Sequence, residues 1–207
     1  MTDPHRPRFT RTELTAFQGA TVDDLLGAPS EHPTRLLFVG INPGLWTAAV
    51  NAHFARAGNR FWPALHLAGI TPTLVDASGG MLPADREMVL AAGIGITNLV
   101  PIATARADEL TAAQLRAGAT RLVGLVERVR PRVVAVLGLT AYRQAFGRAA
   151  TSAGRQSDTI GGAGLWVLPN PSGLNAHETA GSLAAAYRAA ADAAGVGRGG
   201  AGSATHR

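Results

Sequence analysis

Leu36-Leu37-Phe38-Val39 runs without a polar interruption straight into Gly40-Ile41-Asn42-Pro43-Gly44, and this junction constrains the chain more than any other stretch. The apolar run reads as a buried strand, expected over Arg35–Gly40. Two glycines and a proline within five residues then stop it in a sharp turn. Asn42 is thereby placed at the carboxyl end of a strand, where open α/β sheets bind their ligands. A carboxamide held there is oriented by backbone.

The rest of the chain repeats the theme. Gly93-Ile94-Gly95-Ile96-Thr97-Asn98 reads as a second short strand ending in a polar turn, Val133–Leu137 as a third ended by Gly138, and Leu165–Leu168 as a last one running into Asn170-Pro171-Ser172-Gly173-Leu174-Asn175. Helices are expected between them. Asn59 can cap one at Arg60–Ala68, whose Phe61, Leu65 and Ala68 share a face. Others are expected at Asp85–Ala92, at Ala112–Arg130 behind a Thr111 cap, at Thr140–Gly147 and at Ala180–Ala194. Strands alternating with helices imply an α/β fold, a three-layer α/β/α sandwich on a short, mainly parallel sheet. In such a sheet the turns bearing Asn42, Asn98 and Asn170 emerge at one edge.

Three segments carry less order. Residues 1–31, with one helical candidate at Thr12–Leu26, read as a loosely held arm. Thr151–Gly164 is polar and glycine-rich and reads as a loop. Residues 195–207 are mainly Gly, Ser, Ala and Arg with little to bury and read as a disordered tail. Residues 32–194 form the one expected domain, and a monomer is expected.

Composition narrows the chemistry. In 207 residues there is no cysteine, which removes disulfides, thiol nucleophiles and iron–sulfur clusters. It fits a reducing cytoplasm. No apolar leader and no run of 18 apolar residues is present, so no membrane partner is expected. Nineteen basic residues stand against 14 acidic ones, and every basic residue is arginine. A net charge of +5 is compatible with an anionic partner without demanding one. Arg128, Arg130 and Arg132 are most simply a solvated helix end. His177-Glu178 sets a histidine beside a carboxylate, but without a clustered set no metal is expected. Neither Gly40-x-x-x-Gly44 nor Gly93-x-Gly95 completes a dinucleotide or phosphate loop, and no cofactor is expected. Ser172 lacks a nucleophile elbow.

Two residues invite two readings each. Phe54, just before a helix, closes the core or stacks on a flat heterocycle above the strand ends. Leu174 sits in a stiff polar loop with no period to bury it; it is a buried loop leucine or a wedge that unstacks bases.

Gly40-Ile41-Asn42-Pro43-Gly44, Asn59-Arg60-Phe61-Trp62 and Asn170-Pro171-Ser172-Gly173-Leu174 together resemble the mismatch-specific uracil-DNA glycosylases, the branch that includes thymine-DNA glycosylase. The resemblance spans Leu36 to Ala194 in motif order and spacing. It implies the uracil-DNA glycosylase sandwich, double-stranded DNA as partner, a nucleoid-associated cytoplasmic location, and excision of a flipped base. By position it makes Asn42 the residue that holds the attacking water and Phe54 the aromatic that stacks on the base. Backbone N–H groups near Ile41 and Phe54 would hold the base's carbonyl oxygens, with His53 and Asn98 beside them. Gly173, Leu174 and Asn175 would form the wedge, with Asn170 and Ser172 in its loop. The chain departs from the family at Trp46 and Thr47, which replace small residues, Thr47 falling near the base's C5 edge. It departs again at Asn175-Ala176, where the bacterial pattern has Ser-Arg. The rival readings are a nucleotide-binding α/β domain and a non-catalytic DNA-binding module of the same fold.

Overall fold

The structure, a computed structural model, describes residues 7–175 and 178–197. Five strands form one sheet: β1 (Leu36–Gly40), β2 (Ile94–Asn98), β3 (Val133–Leu137), β4 (Gly154–Ile160) and β5 (Ala163–Leu168), in the order β2-β1-β3-β5-β4. The first three and β5 run parallel; β4 is antiparallel at one edge.

Successive side chains of a strand point to opposite faces, and both faces here are apolar. Leu36 and Phe38 join Ile94, Ile96, Val133 and Ala135 against helices α3 (Phe61–Leu67), α4 (Pro83–Ala91) and α7 (Ala180–Ala194). Leu37 and Val39 join Val134, Val136, Leu165 and Val167 against α5 (Ala112–Val129) and α6 (Leu139–Phe146). This is why the strands read as unbroken apolar runs, and it makes the molecule the expected three-layer sandwich.

The helices begin and end close to where their caps place them. Thr111 and Gln114 form a capping box on α5, and Arg130 closes it in the left-handed region at φ 53°. Asn59 Oδ1 accepts from Phe61 N at 2.9 Å, at the start of α3.

Two expectations fail for physical reasons. Thr151–Gly164 is not a loop: it contains β4, joined to β5 by Gly161-Gly162 with φ 52° and 84°. Two residues of positive φ make a tight hairpin. As an edge strand, β4 buries only Ile160, so it carries no apolar alternation. Thr12–Leu26 is not one helix either. Helix α1 covers only Arg11–Thr15, and Gly19 at φ 79° turns the chain out of it. Leu25 then exchanges both backbone hydrogen bonds with Ile96, at 2.9 and 2.8 Å. The outer edge of β2 is covered in this way. Of the tail, Gly195 caps α7 and Val196 is buried; residues 1–6 and 198–207, and the Ala176-His177 positions, lie outside the described residues.

The packing of α5 is tight at one point. A Cβ on Gly118 would stand 2.5 Å from the carbonyl oxygen of Leu99. Replacing glycine inside a helix with alanine ordinarily gains about 1 kcal/mol. Overpacking against backbone that cannot rotate away costs about 1–3 kcal/mol, so the clash wins. Gly118→Ala is therefore expected to lower the urea midpoint at unchanged slope, whereas Gly124→Ala on the same helix, whose Cβ would meet only Arg128 Nη1 at 4.0 Å, is expected to raise it slightly.

Candidate active site

The parallel register sets Gly40 directly opposite Asn98. Their strands end together, and what lies above that point is fixed by the absence of a side chain at residue 40. A Cβ there would stand 2.6 Å from Asn98 Oδ1 and 3.3 Å from Phe54 Cζ. Asn98 and Phe54 therefore both lean over the end of β1.

Phe54 reaches this position through an uncommon backbone conformation, φ 56°, for which a bulky residue needs support. Support comes from α3. The Phe54 ring stacks on Phe61 with centroids 4.0 Å apart, and Trp62 Nε1 donates to the carbonyl of His53 at 3.0 Å. Phe61 was expected in the core, and it is there, but its outer face is the platform on which Phe54 rests.

His53 is buried and bonded at both ring nitrogens. Nε2 lies 3.0 Å from the carbonyl oxygen of Asp23. A carbonyl only accepts, so Nε2 carries the proton. Nδ1 is then an acceptor, and Asn98 Nδ2 donates to it at 3.4 Å. This chain of single-valued choices orients the Asn98 amide, leaving its oxygen over Gly40. Asn51 holds Asp23 in place from both ends: its Oδ1 accepts from Asp23 N at 3.1 Å and its Nδ2 donates to Asp23 Oδ2 at 2.8 Å. From behind, Arg121 Nη2 donates to the Asn98 carbonyl and to Thr97 Oγ1, which itself donates to Asp24 at 2.6 Å.

Asn42 is half-buried and fixed on one side only. Its Nδ2 donates to Thr104 Oγ1 at 2.7 Å and to the carbonyl of Ile102 at 3.2 Å, with the Pro43 carbonyl at 3.1 Å. Two carbonyls facing one amide atom identify it as nitrogen. Thr104 Oγ1 in turn donates to the Arg106 carbonyl at 2.7 Å. Asn42 Oδ1 accepts from no donor among the described residues. The turn is held along the 99–104 segment: the carbonyls of Gly40, Ile41 and Pro43 accept from Leu99, Val100 and Thr104. The N–H groups of Ile41 and Phe54 donate to no backbone carbonyl among the described residues.

The last turn is a self-bonded loop with its leucine outside. Leu174 is 79% exposed, which removes the reading of a buried loop leucine. Ser172 N donates to Asn170 Oδ1 at 3.0 Å, Asn175 Nδ2 to the Asn170 carbonyl at 3.1 Å, and Leu174 N to Ser172 Oγ at 3.3 Å. Arg60 ties this loop down. Its Nη1 donates to the carbonyls of Ser172 and Asn175, both at 3.0 Å, and its own N–H donates to Pro171. A Cβ on Gly173 would stand 2.7 Å from the Gly58 carbonyl oxygen, so glycine lets the loop lie against residues 56–59.

The sequence-predicted residues thus fall into two groups. Ile41, Asn42, His53, Phe54 and Asn98 meet at the ends of β1 and β2; Asn170, Ser172, Gly173, Leu174 and Asn175 form the exposed loop after β5. Asn59-Arg60-Phe61-Trp62 joins them. Thr47 is buried in the short helix α2 (Leu45–Ala49). Trp46 turns to Ser78, donating to its carbonyl at 2.9 Å, and meets Phe9 edge-on at 5.2 Å. Sequence reasoning missed Asp23, Arg60, Ile102, Thr104 and Arg121, all of which act through another residue. Only the Arg60 of the tetrapeptide left a trace in the sequence. A cleft of about 590 Å³ lies between α5, α6 and β4, lined by Tyr142, Phe146 and Arg148 among others. It contains none of the strand-end residues, and its size does not make it the site.

This is an α/β/α sandwich with an amide-bearing turn at the strand ends and an exposed leucine loop alongside. A family model for the uracil DNA glycosylase superfamily matches residues 29–193. The chain belongs to that superfamily, whose activity is that of a DNA glycosylase, a hydrolase of base-excision repair with DNA as its partner. Among the described residues no helix is long and apolar enough to cross a membrane.

Burial holds the His53 imidazole below its ordinary value of 6.5, partly offset by the Asp23 carbonyl and the Asp24 charge. A group that stays neutral longer when folded leaves the unfolded chain with more bound protons below that value, so stability falls as pH drops through it. Well above pH 6.5 His53 is neutral in both states and contributes no slope. Urea midpoints between pH 7.5 and 5 should therefore fall more steeply for the wild type than for His53→Gln; parallel curves would exclude His53 as the cause.

Proposed function

We propose that the chain is a mismatch-specific, monofunctional glycosylase that flips uracil out of duplex DNA, chiefly opposite guanine, and removes it by hydrolysis. The observation that carries this reading is the one-sided anchoring of Asn42. Its amide nitrogen is spent on Ile102 and Thr104, and its oxygen is left to accept from a water at the strand ends.

The reaction breaks the N-glycosidic bond through an oxocarbenium-like sugar. Water supplies the oxygen that attaches to the sugar carbon, the base leaves with the bonding pair, and the proton the water gives up ends on the departed base or in solvent. Asn42 cannot take a proton from that water near neutrality, because an amide does not titrate there. Its part is to hold the water in line. The departing base anion is stabilised by N–H donors of Ile41 and Phe54, while Phe54 covers its face and Asn98 meets its edge. Donors already fixed in place cost nothing to reorganise as charge develops. A weakly activated water makes the enzyme slow and nearly flat in pH across the neutral range. Uracil is favoured over thymine because buried Thr47 lies near the C5 edge. Leu174 fills the gap left by the flipped nucleotide, and Asn170, Ser172, Gly173 and Asn175 shape its loop and reach the opposite base. The protein works as a monomer in the cytoplasm, on the nucleoid.

Asn42→Ala is expected to lower single-turnover uracil excision by about 10²–10³-fold, the scale of losing a placed reactant, while leaving duplex binding intact. Undiminished turnover would remove Asn42 from the mechanism.

Lysine is absent from the chain, so no side-chain amine is present to form a Schiff base with the sugar. The product is expected to be an intact abasic site, cleaved only on later treatment with alkali. A borohydride-trapped adduct mapping anywhere except the amino terminus would contradict this.

A further inference from the structure

Arg56 stands two residues beyond Phe54 and is exposed. Its guanidinium has no carboxylate or carbonyl partner among the described residues. Arg60, one helical turn on, is committed to the Ser172 and Asn175 carbonyls. Arg56 forms one wall of a groove of about 250 Å³ whose other wall is Ser172–Leu174. No acidic residue lines this groove. Its floor is the backbone approach of Gly173 to Gly58, which sets the distance between the two walls without help from flexible side chains. A free, permanently charged fork is thus held beside the exposed leucine, in a groove with no negative group to neutralise it.

We propose that Arg56 grips a DNA phosphate next to the flipped nucleotide, on the strand that carries it. This rests on the reading that Leu174 enters the duplex and Phe54 receives the base. Any strand parted by Leu174 must carry its phosphates past the groove walls. Two residues of chain span at most about 7 Å, so Arg56 stays close to the flipped nucleotide's own strand. Guanidinium fits phosphate through two parallel hydrogen bonds, and such a contact positions DNA without reading its sequence.

The test is equilibrium binding of the full chain to a duplex carrying a tetrahydrofuran abasic analogue opposite guanine or adenine, across a salt series. One lost phosphate contact lowers the slope of log affinity against log salt by about 0.9, and affinity about eightfold at 0.1 M salt. Arg56→Gln is expected to show both effects equally for the two opposite bases. Arg56→Lys, which keeps a charge able to bind phosphate, should retain most of the slope. Arg132→Gln removes the same charge at the far, amino-terminal end of β3 and should behave as the wild type. An unchanged slope in Arg56→Gln overturns the proposal, as does a loss confined to guanine-containing duplexes, which would make Arg56 a base reader. If the wild type itself shows no preference for the abasic duplex over an undamaged one, the wedge reading fails first and the Arg56 proposal falls with it.

Discussion

A side chain at residue 40 could begin only by displacing its neighbours. Asn98 Oδ1 and the edge of the Phe54 ring occupy that space, and the site is built around their closeness. A strand end is normally roofed by the side chain of its last residue. Removing that side chain lets an amide from the neighbouring strand and an aromatic from a distant loop converge over one Cα. Asn42 follows two residues later, after a turn too short to carry it away from them.

Convergence at Gly40 requires that the loop bearing Phe54 be held in a conformation it would not adopt alone. The first turn of α3 does this, and it serves both halves of the site. Asn59 starts the helix, Phe61 backs the Phe54 ring, Trp62 holds the His53 carbonyl, and Arg60 reaches the other way to the leucine loop. Four consecutive residues point in four directions because the chain turns at Asn59 and Arg60 into the first turn of α3. The turn that positions the aromatic is therefore the turn that positions Leu174. The leucine loop and the Phe54 platform are thus tied together through two adjacent residues, Arg60 and Phe61, rather than through the sheet.

Much of this was legible in the sequence, and what was not failed for identifiable reasons. Buried parallel strands announce themselves as apolar runs, so β1, β3 and β5 were readable, and β2 by its short apolar stretch ending in a polar turn, as were helices with Thr111-type caps. β4 was not, because an edge strand with both faces largely solvated has no apolar period; its one local sign was Gly161-Gly162. The residues of the strand ends were readable because their turns are punctuated by Gly, Pro and Asn. Their supports were not. Thr104, Ile102 and Asp23 contribute a hydroxyl or a backbone carbonyl, groups that every sequence contains in quantity. Their importance lies in which donor faces them, and only coordinates reveal that.

Asp23 shows how far the site's dependence extends. It precedes residue 29, where the match to the superfamily begins, and it lies in a segment with little helical or strand character of its own. Yet its carbonyl decides which nitrogen of His53 is protonated, and that choice decides which way the Asn98 amide faces. Were Nδ1 to carry the proton, two donors would confront each other, and Asn98 would have to turn its NH₂ group toward Gly40. An acceptor above the strand end would become a donor. The pairing of Leu25 with Ile96 anchors the segment two residues away, so the arm is fastened to the sheet close to where its carbonyl is needed. The hydrogen-bonding character of the strand ends is thus set from outside the stretch that matches the superfamily, by a backbone atom whose position depends on the arm lying along β2.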